Sequence, residues 1–290
     1  MSNFKGVGVA LVTPFNEDLS VDFDSLTKLV NFNIENGTNY LVILGTTAEA
    51  ATLSSEEKKQ VIDHIIKANN KRVPLVLGIG GNDTMEVKKQ IEETDLSDFD
   101  AVLSVSPYYN KANQEGLYQH YKALASTGKN IIIYNVPSRT GQNVEASTTL
   151  RLAEEFPNLI MIKEAAPNIL QYFDILRLKP ANFNLVSGDD EYTLPVTLAG
   201  GNGVISVIGQ GYPKEFSTMV QLAFDGKVNE AYEIHNKLVE ITRLIFAEGN
   251  PAGIKTVLAE LGIIKNYLRL PLVAASNGLQ EKIKAEMAKI

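Results

Sequence analysis

Cysteine is absent from this chain of 290 residues, and so is tryptophan. Without cysteine there is no disulfide and no thiolate metal site. Only three histidines occur, His64, His120 and His235. They fall in helix-patterned segments and no two stand at ligand spacing, so no metal centre is expected. Basic residues are outnumbered, 27 Lys and Arg against 34 Asp and Glu, giving a net charge of −7. An acidic chain with no basic stripe is expected not to bind nucleic acid. No apolar run approaches the roughly 18 residues of a membrane span. The opening MSNFKGVGVALVTPF lacks the layout of a signal peptide. The expectation is therefore a soluble, cytoplasmic protein with neither a membrane nor a nucleic acid as partner. The glycine-rich stretch GIGGND is neither a Walker loop nor a dinucleotide fingerprint, so no nucleotide cofactor is expected either.

Hydrophobic residues make up 44% of the chain, ample for a core. They collect in eight short runs: VGVALVTPF, YLVILGTT, VPLVLGIGG, AVLSVSPYY, IIIYNVP, LIMIKEA, NLVSGDD and GVISVIG. Most lack alternation, as strands covered on both faces should. Amphipathic segments follow most of them. In LSSEEKKQVIDHIIKANN, Ser54 can cap a helix and Glu57 can close a capping box. Val61, Ile62, Ile65 and Ile66 then supply an apolar stripe. Eight β-then-α units predict an α/β fold, a (β/α)8 TIM barrel, with a doubly wound open sheet as the alternative. After Gly226 the strand pattern stops, and three helical segments follow. The expected division is a barrel carrying the active site over residues 1–225 and a small C-terminal helical domain over 226–290.

In a barrel of this kind the active site lies at the C-terminal ends of the strands. The strand ends carry Thr46, Thr47, Tyr108, Tyr109, Tyr134, Arg139, Lys163 and Gly188. Lys163 is the most unusual, an ammonium closing the apolar run Leu159–Ile162. A lysine at a strand end often does no more than snorkel to solvent. Held in a dry pocket, its amine is a nucleophile, because burial disfavours the charged form. Such an amine can condense with a ketone, and the protonated imine then acts as an electron sink. A nearby tyrosine can move protons. Threonine hydroxyls can hold one carboxylate, and an arginine can clamp another bidentately.

These motifs, with GTTAEAATL, SVSPYYNKANQEGLYQHY, IIIYNVPSRTG, IMIKEA, LVSGDD and GNGVISV, make the chain resemble the dihydrodipicolinate synthase family from end to end. The resemblance implies a barrel with a helical C-terminal addition and no cofactor. It implies a lyase of the Schiff-base type, joining pyruvate to L-aspartate 4-semialdehyde in the diaminopimelate route to lysine. By the same resemblance Lys163 forms the imine. Tyr134, Thr46 and Tyr109 form a proton relay, with Tyr109 reaching into a neighbouring copy in a homodimer or a homotetramer built as a dimer of dimers. Thr47 holds the pyruvate carboxylate, Arg139 binds the semialdehyde carboxylate, and Gly188 and Ile205 line the pyruvate pocket.

Related pyruvate-dependent aldolases share the lysine and the tyrosine, among them N-acetylneuraminate lyase and keto-deoxy-sugar aldolases. The arginine of SRTG and the double threonine favour the synthase over these. A homologue that binds a keto acid without catalysis is the other alternative. The family's regulatory site for L-lysine maps to Ala50, Ala51, Ser55, Lys58, Asn82, Glu86 and Tyr108. Two positions depart from the family pattern, Ala48 where a glycine is usual and Ala50 where a serine or asparagine is usual. Ser55 and Lys58 stand where lysine-sensitive relatives commonly carry histidines, so weak or absent inhibition is expected.

Overall fold

The computed structural model describes residues 4–290. Its eight strands are β1 (Gly6–Ala10), β2 (Tyr40–Ile43), β3 (Leu75–Gly78), β4 (Ala101–Val105), β5 (Ile131–Asn135), β6 (Leu159–Glu164), β7 (Asn184–Ser187) and β8 (Gly203–Ser206). They form a closed barrel in chain order, and the pairings from β3 through β8 are parallel. Each of the eight apolar runs contributes one strand. Every residue of β2 and β5 is buried, the result of covering both faces of a parallel strand. The open-sheet alternative is excluded by closure.

The helices are α1 (Phe23–Glu35), α2 (Ser55–Asn69), α3 (Thr84–Glu93), α4 (Gln114–Ala125), α5 (Pro137–Thr140), α6 (Ala146–Glu155), α7 (Ile169–Leu178), α8 (Thr193–Leu198), α9 (Pro213–Phe224), α10 (Val228–Phe246), α11 (Ala252–Glu260) and α12 (Asn277–Met287). The capping box at the start of α2 is present in full: Ser54 accepts from the Glu57 N–H, and the Glu57 carboxylate accepts from the Ser54 N–H. Of the four stripe residues only Val61 and Ile65 are fully buried, while Ile62 and Ile66 are half-buried. The stripe is therefore narrower than its apolar count suggests. The segment SRTG supplies most of the single turn α5 and its C-cap. Proline at its first turn pre-sets φ, and Gly141 ends it at φ 74°, a left-handed angle that suits glycine.

The described residues fall into two compact units. One comprises residues 4–6 and Pro74–Ile205, the other Val7–Val73 and Ser206–Ile290. The first holds β3 to β7 with their helices. The second holds β2, α1, α2 and the late helices, among which α10 buries Leu238, Ile241 and Ile245 on one face. Burying side chains of this size contributes about 1.5–3 kcal/mol each. Among the described residues no helix is long and apolar enough to cross a membrane.

Candidate active site

In the first unit, β5 and β6 pair with Tyr134 opposite Lys163 and Asn135 opposite Glu164. Successive side chains on a strand point to opposite faces. Tyr134 and Lys163 therefore share one face, and Asn135 and Glu164 share the other. Lys163 is only 5% exposed and Tyr134 7%. The Lys163 Nζ lies 4.4 Å from the centre of the Tyr134 ring, within cation–π range. The snorkelling reading of Lys163 does not survive this burial.

Past the end of β7, the Gly188 N–H donates to the Glu164 carbonyl at 2.6 Å. A Cβ on Gly188 would stand 2.8 Å from the Ala165 Cβ and 3.0 Å from both Cγ and Cε of Lys163. Residue 188 has to lack a side chain if the lysine is to keep its course. Ile205 is fully buried in β8.

Arg139 sits exposed on α5. The turn that carries it is tied to the preceding strand-end loop, because Gln142 donates to the Pro107 carbonyl. That loop carries Tyr108 and Tyr109, 42% and 90% exposed. Tyr109 also has φ 72°, a left-handed conformation that is uncommon and strained for a bulky residue. Asn110 fastens the loop by donating to the Asn82 carbonyl at 2.9 Å. Glu86 is exposed in the first turn of α3.

Behind Lys163 lies a polar cluster on the outer face of the two strands. The Glu164 carboxylate is fully buried. It accepts from Asn135 Nδ2 at 2.9 and 3.0 Å, from the Ala166 N–H at 2.7 Å and from Gln171 Nε2 at 2.8 Å. Burial pushes this carboxyl up to about 7, and these donors pull against the shift.

In the second unit, Thr46, Thr47 and Ala48 form a three-ten turn, followed by another over Ala50–Thr52. Thr46 is exposed and Thr47 buried. The kink between the turns is Glu49, at φ 54° and ψ 33°. Three contacts hold the kink in place. Thr13 Oγ1 donates to the Ala48 carbonyl at 2.7 Å, and Asn250 Nδ2 donates to Thr47 Oγ1 at 2.8 Å. The third is an ion pair between Glu49 and Lys255 at 2.5 Å, both side chains fully buried. Lys255 also donates to the Tyr267 carbonyl and lies over the Phe15 ring. Burial pushes its ammonium down to about 8, against the upward pull of Glu49. Arg269 stacks on the same Phe15 ring and binds both carboxylate oxygens of Glu57. Ser55 and Lys58 occupy the first turn of α2, with Ser55 exposed and Lys58 half-buried, and Ala50 is half-buried before them.

A family model for the dihydrodipicolinate synthetase family matches residues 3–290. The chain belongs to that family. A 4-hydroxy-tetrahydrodipicolinate synthase of Flavobacterium psychrophilum is 55% identical over 284 residues, covering 98% of this chain and 97% of the relative. A crystal structure of dihydrodipicolinate synthase from Thermotoga maritima superimposes with a TM-score of 0.96 at 37% identity, covering 99% of both chains. A structure of the enzyme from Cyanidioschyzon merolae with lysine bound gives a TM-score of 0.95 at 33% identity, covering 100% of this chain and 99% of that one.

Against the family pattern, Ala48 proves harmless to the backbone. The left-handed conformation falls on Glu49 and not on Ala48, so a Cβ at position 48 carries no strain. Sequence reasoning passed over Asn135, Glu164 and Gln171, and likewise Glu49, Asn250 and Lys255. Some signal was present. A charged residue directly after Lys163 had to face outward among helices, where a strand flanked on both sides is apolar. In AGIKTVLAE, Lys255 interrupts a helix with seven buried residues of nine. Among the described residues no group of His, Cys, Asp and Glu could hold a metal ion.

Proposed function

We propose that the chain is a 4-hydroxy-tetrahydrodipicolinate synthase, condensing pyruvate with L-aspartate 4-semialdehyde through an imine on Lys163. One observation carries the reading within the family: an almost fully buried amine, 4.4 Å from a buried tyrosine ring, on a barrel strand. The Lys163 Nζ attacks the ketone carbon of pyruvate. The resulting carbinolamine loses its oxygen as water, with Tyr134, Thr46 and Tyr109 moving the protons. Thr47 holds the pyruvate carboxylate, while Gly188 and Ile205 bound the pocket. The protonated imine draws electrons from the adjacent methyl carbon, which loses a proton to give an enamine. That carbon attacks the semialdehyde carbonyl, whose own carboxylate Arg139 pairs. The amino group of the semialdehyde then attacks the imine carbon, closing the ring and releasing the Lys163 amine.

Asn250 has a defined part in this scheme. Because its N–H already donates to Thr47 Oγ1, the threonine keeps its own proton for the pyruvate carboxylate. The scheme uses no cofactor, and the enzyme is read as cytoplasmic. The exposed, strained Tyr109 suits a residue that a second copy covers, which supports reading the assembly as a homodimer or homotetramer.

Borohydride reduction in the presence of pyruvate, with peptide mapping, is expected to leave one adduct, on Lys163. The semialdehyde is expected to be consumed with pyruvate, and N-acetylmannosamine is not. An adduct elsewhere, no adduct, or preference for the sugar would overturn the assignment.

A further inference from the structure

The outer-face cluster at Glu164 has a feature that simple packing does not explain. Burying a carboxylate is costly, and a neutral side chain would fill the space. Yet the groups surrounding it admit only an acceptor. Asn135 presents its amide N–H groups to Glu164 because its Oδ1 already accepts from the Val144 N–H at 3.0 Å. Gln171 does the same because its Oε1 already accepts from Asn143 Nδ2 at 2.8 Å. Neither amide can flip without losing that second bond. The Ala166 N–H is a fixed donor. Both oxygens at position 164 therefore have to accept.

The donors come from places that matter separately. Asn135 follows Tyr134 on β5, and Glu164 follows Lys163 on β6. Asn143 and Val144 follow the turn that carries Arg139. Val144 also accepts from Gln171 through its carbonyl at 3.1 Å. The Glu164 main-chain carbonyl accepts from Gly188, the residue packed against the Lys163 stem.

We propose that Glu164 is a positioning residue, whose carboxylate holds Lys163, Tyr134 and the Arg139 turn in one register from the outer face of the barrel strands. The proposal rests on the roles assigned above to Lys163 and Tyr134. It acts through strand placement: loss of an acceptor at 164 lets the end of β5 move against the end of β6, and the amine and the phenol separate. A misplacement of about 1 Å between reacting groups is enough to cost on the order of a hundredfold in rate.

The test is Glu164→Gln, which has nearly the same shape and sets an NH2 among donors. Pyruvate-dependent borohydride trapping is timed per folded active site, beside kcat and KM for each substrate. Trapping is expected to slow about tenfold or more, with kcat falling further than KM for pyruvate rises. Asn135→Ala removes the main donor from the opposite strand and is expected to slow trapping in the same direction. It carries the test alone if Glu164→Gln does not fold. A lower melting temperature with trapping and kcat within twofold of wild type, in either variant, would reduce Glu164 to a core residue and overturn the proposal. Failure of the wild-type enzyme to trap on Lys163 would instead overturn the function reading, so the two failures are distinct.

Discussion

Replacing Lys255 by methionine keeps the length of the side chain and removes its charge. Glu49 is then left as a buried carboxylate, with the Arg269 N–H at 2.9 Å on one oxygen and its cation gone from the other. The Tyr267 carbonyl loses its donor as well. Breaking a buried pair from one side costs about 3–5 kcal/mol, because the remaining charge is uncompensated. Unfolding entropy is about 2.1 cal/mol/K per residue, which for this chain gives about 0.6 kcal/mol/K, so the melting temperature should fall by about 5–8 °C. Differential scanning calorimetry at one scan rate and one protein concentration measures it. Glu49→Gln combined with Lys255→Met should recover part of the loss, since the pair is coupled. The Glu49 kink sets the Thr46–Thr47 turn, so kcat/KM for pyruvate should fall in the single variant too. A melting temperature within about 1 °C of wild type would refute the reasoning, because a buried carboxylate cannot lose its partner at so little cost.

Arg139→Ala should cost about tenfold or more in kcat/KM for the semialdehyde and leave pyruvate trapping on Lys163 intact, the loss of one charge-assisted pair. Unchanged semialdehyde kinetics would make Arg139 a surface cation only. For assembly, sedimentation and activity measured on the same samples should show that a monomeric species is nearly inactive. An active monomer would remove Tyr109 from the relay. For feedback, a dose series of L-lysine at subsaturating pyruvate should show weak or no inhibition, because Ala50 offers no hydrogen bond and Lys58 brings a like charge toward the effector's side-chain ammonium. Half-inhibition at submillimolar lysine would show that site to be intact.

The barrel was legible because a parallel strand buried on both faces is an uninterrupted apolar run, and eight such runs are hard to mistake. Lys163 was legible for the same reason, as the polar break at the end of one of them. The capping box of α2 was local, Ser54 and Glu57 being three residues apart. What escaped is the set of partners that act from a distance. Glu57 completes that box and also binds Arg269, and nothing in SSEE announces the second task. The acceptor-only environment of Glu164 depends on Asn143 and Gln171, whose meeting requires α5, α6 and α7 to be in place. Arg139 was seen but its helical turn was not, although Pro137 and Gly141 bracket it as helix start and stop signals.

The ties that reach the Thr46–Thr47 turn and the Glu49 kink from the late helices span most of the chain. Thr47 and Asn250 are 203 residues apart, and Glu49 and the Arg269 N–H are 220 apart. On a ribosome adding about 5–20 residues each second, the start of such a tie waits about 10–40 s for its end to be made. During that interval Glu49 has no Lys255 to meet and stays in water, where a carboxylate is at ease. The left-handed kink, costing about 1–3 kcal/mol by itself, has little reason to form until the late helices arrive. The last part of the chain to leave the ribosome thus sets the conformation of one of the first, and a truncated product that omits α11 carries an untrained threonine turn.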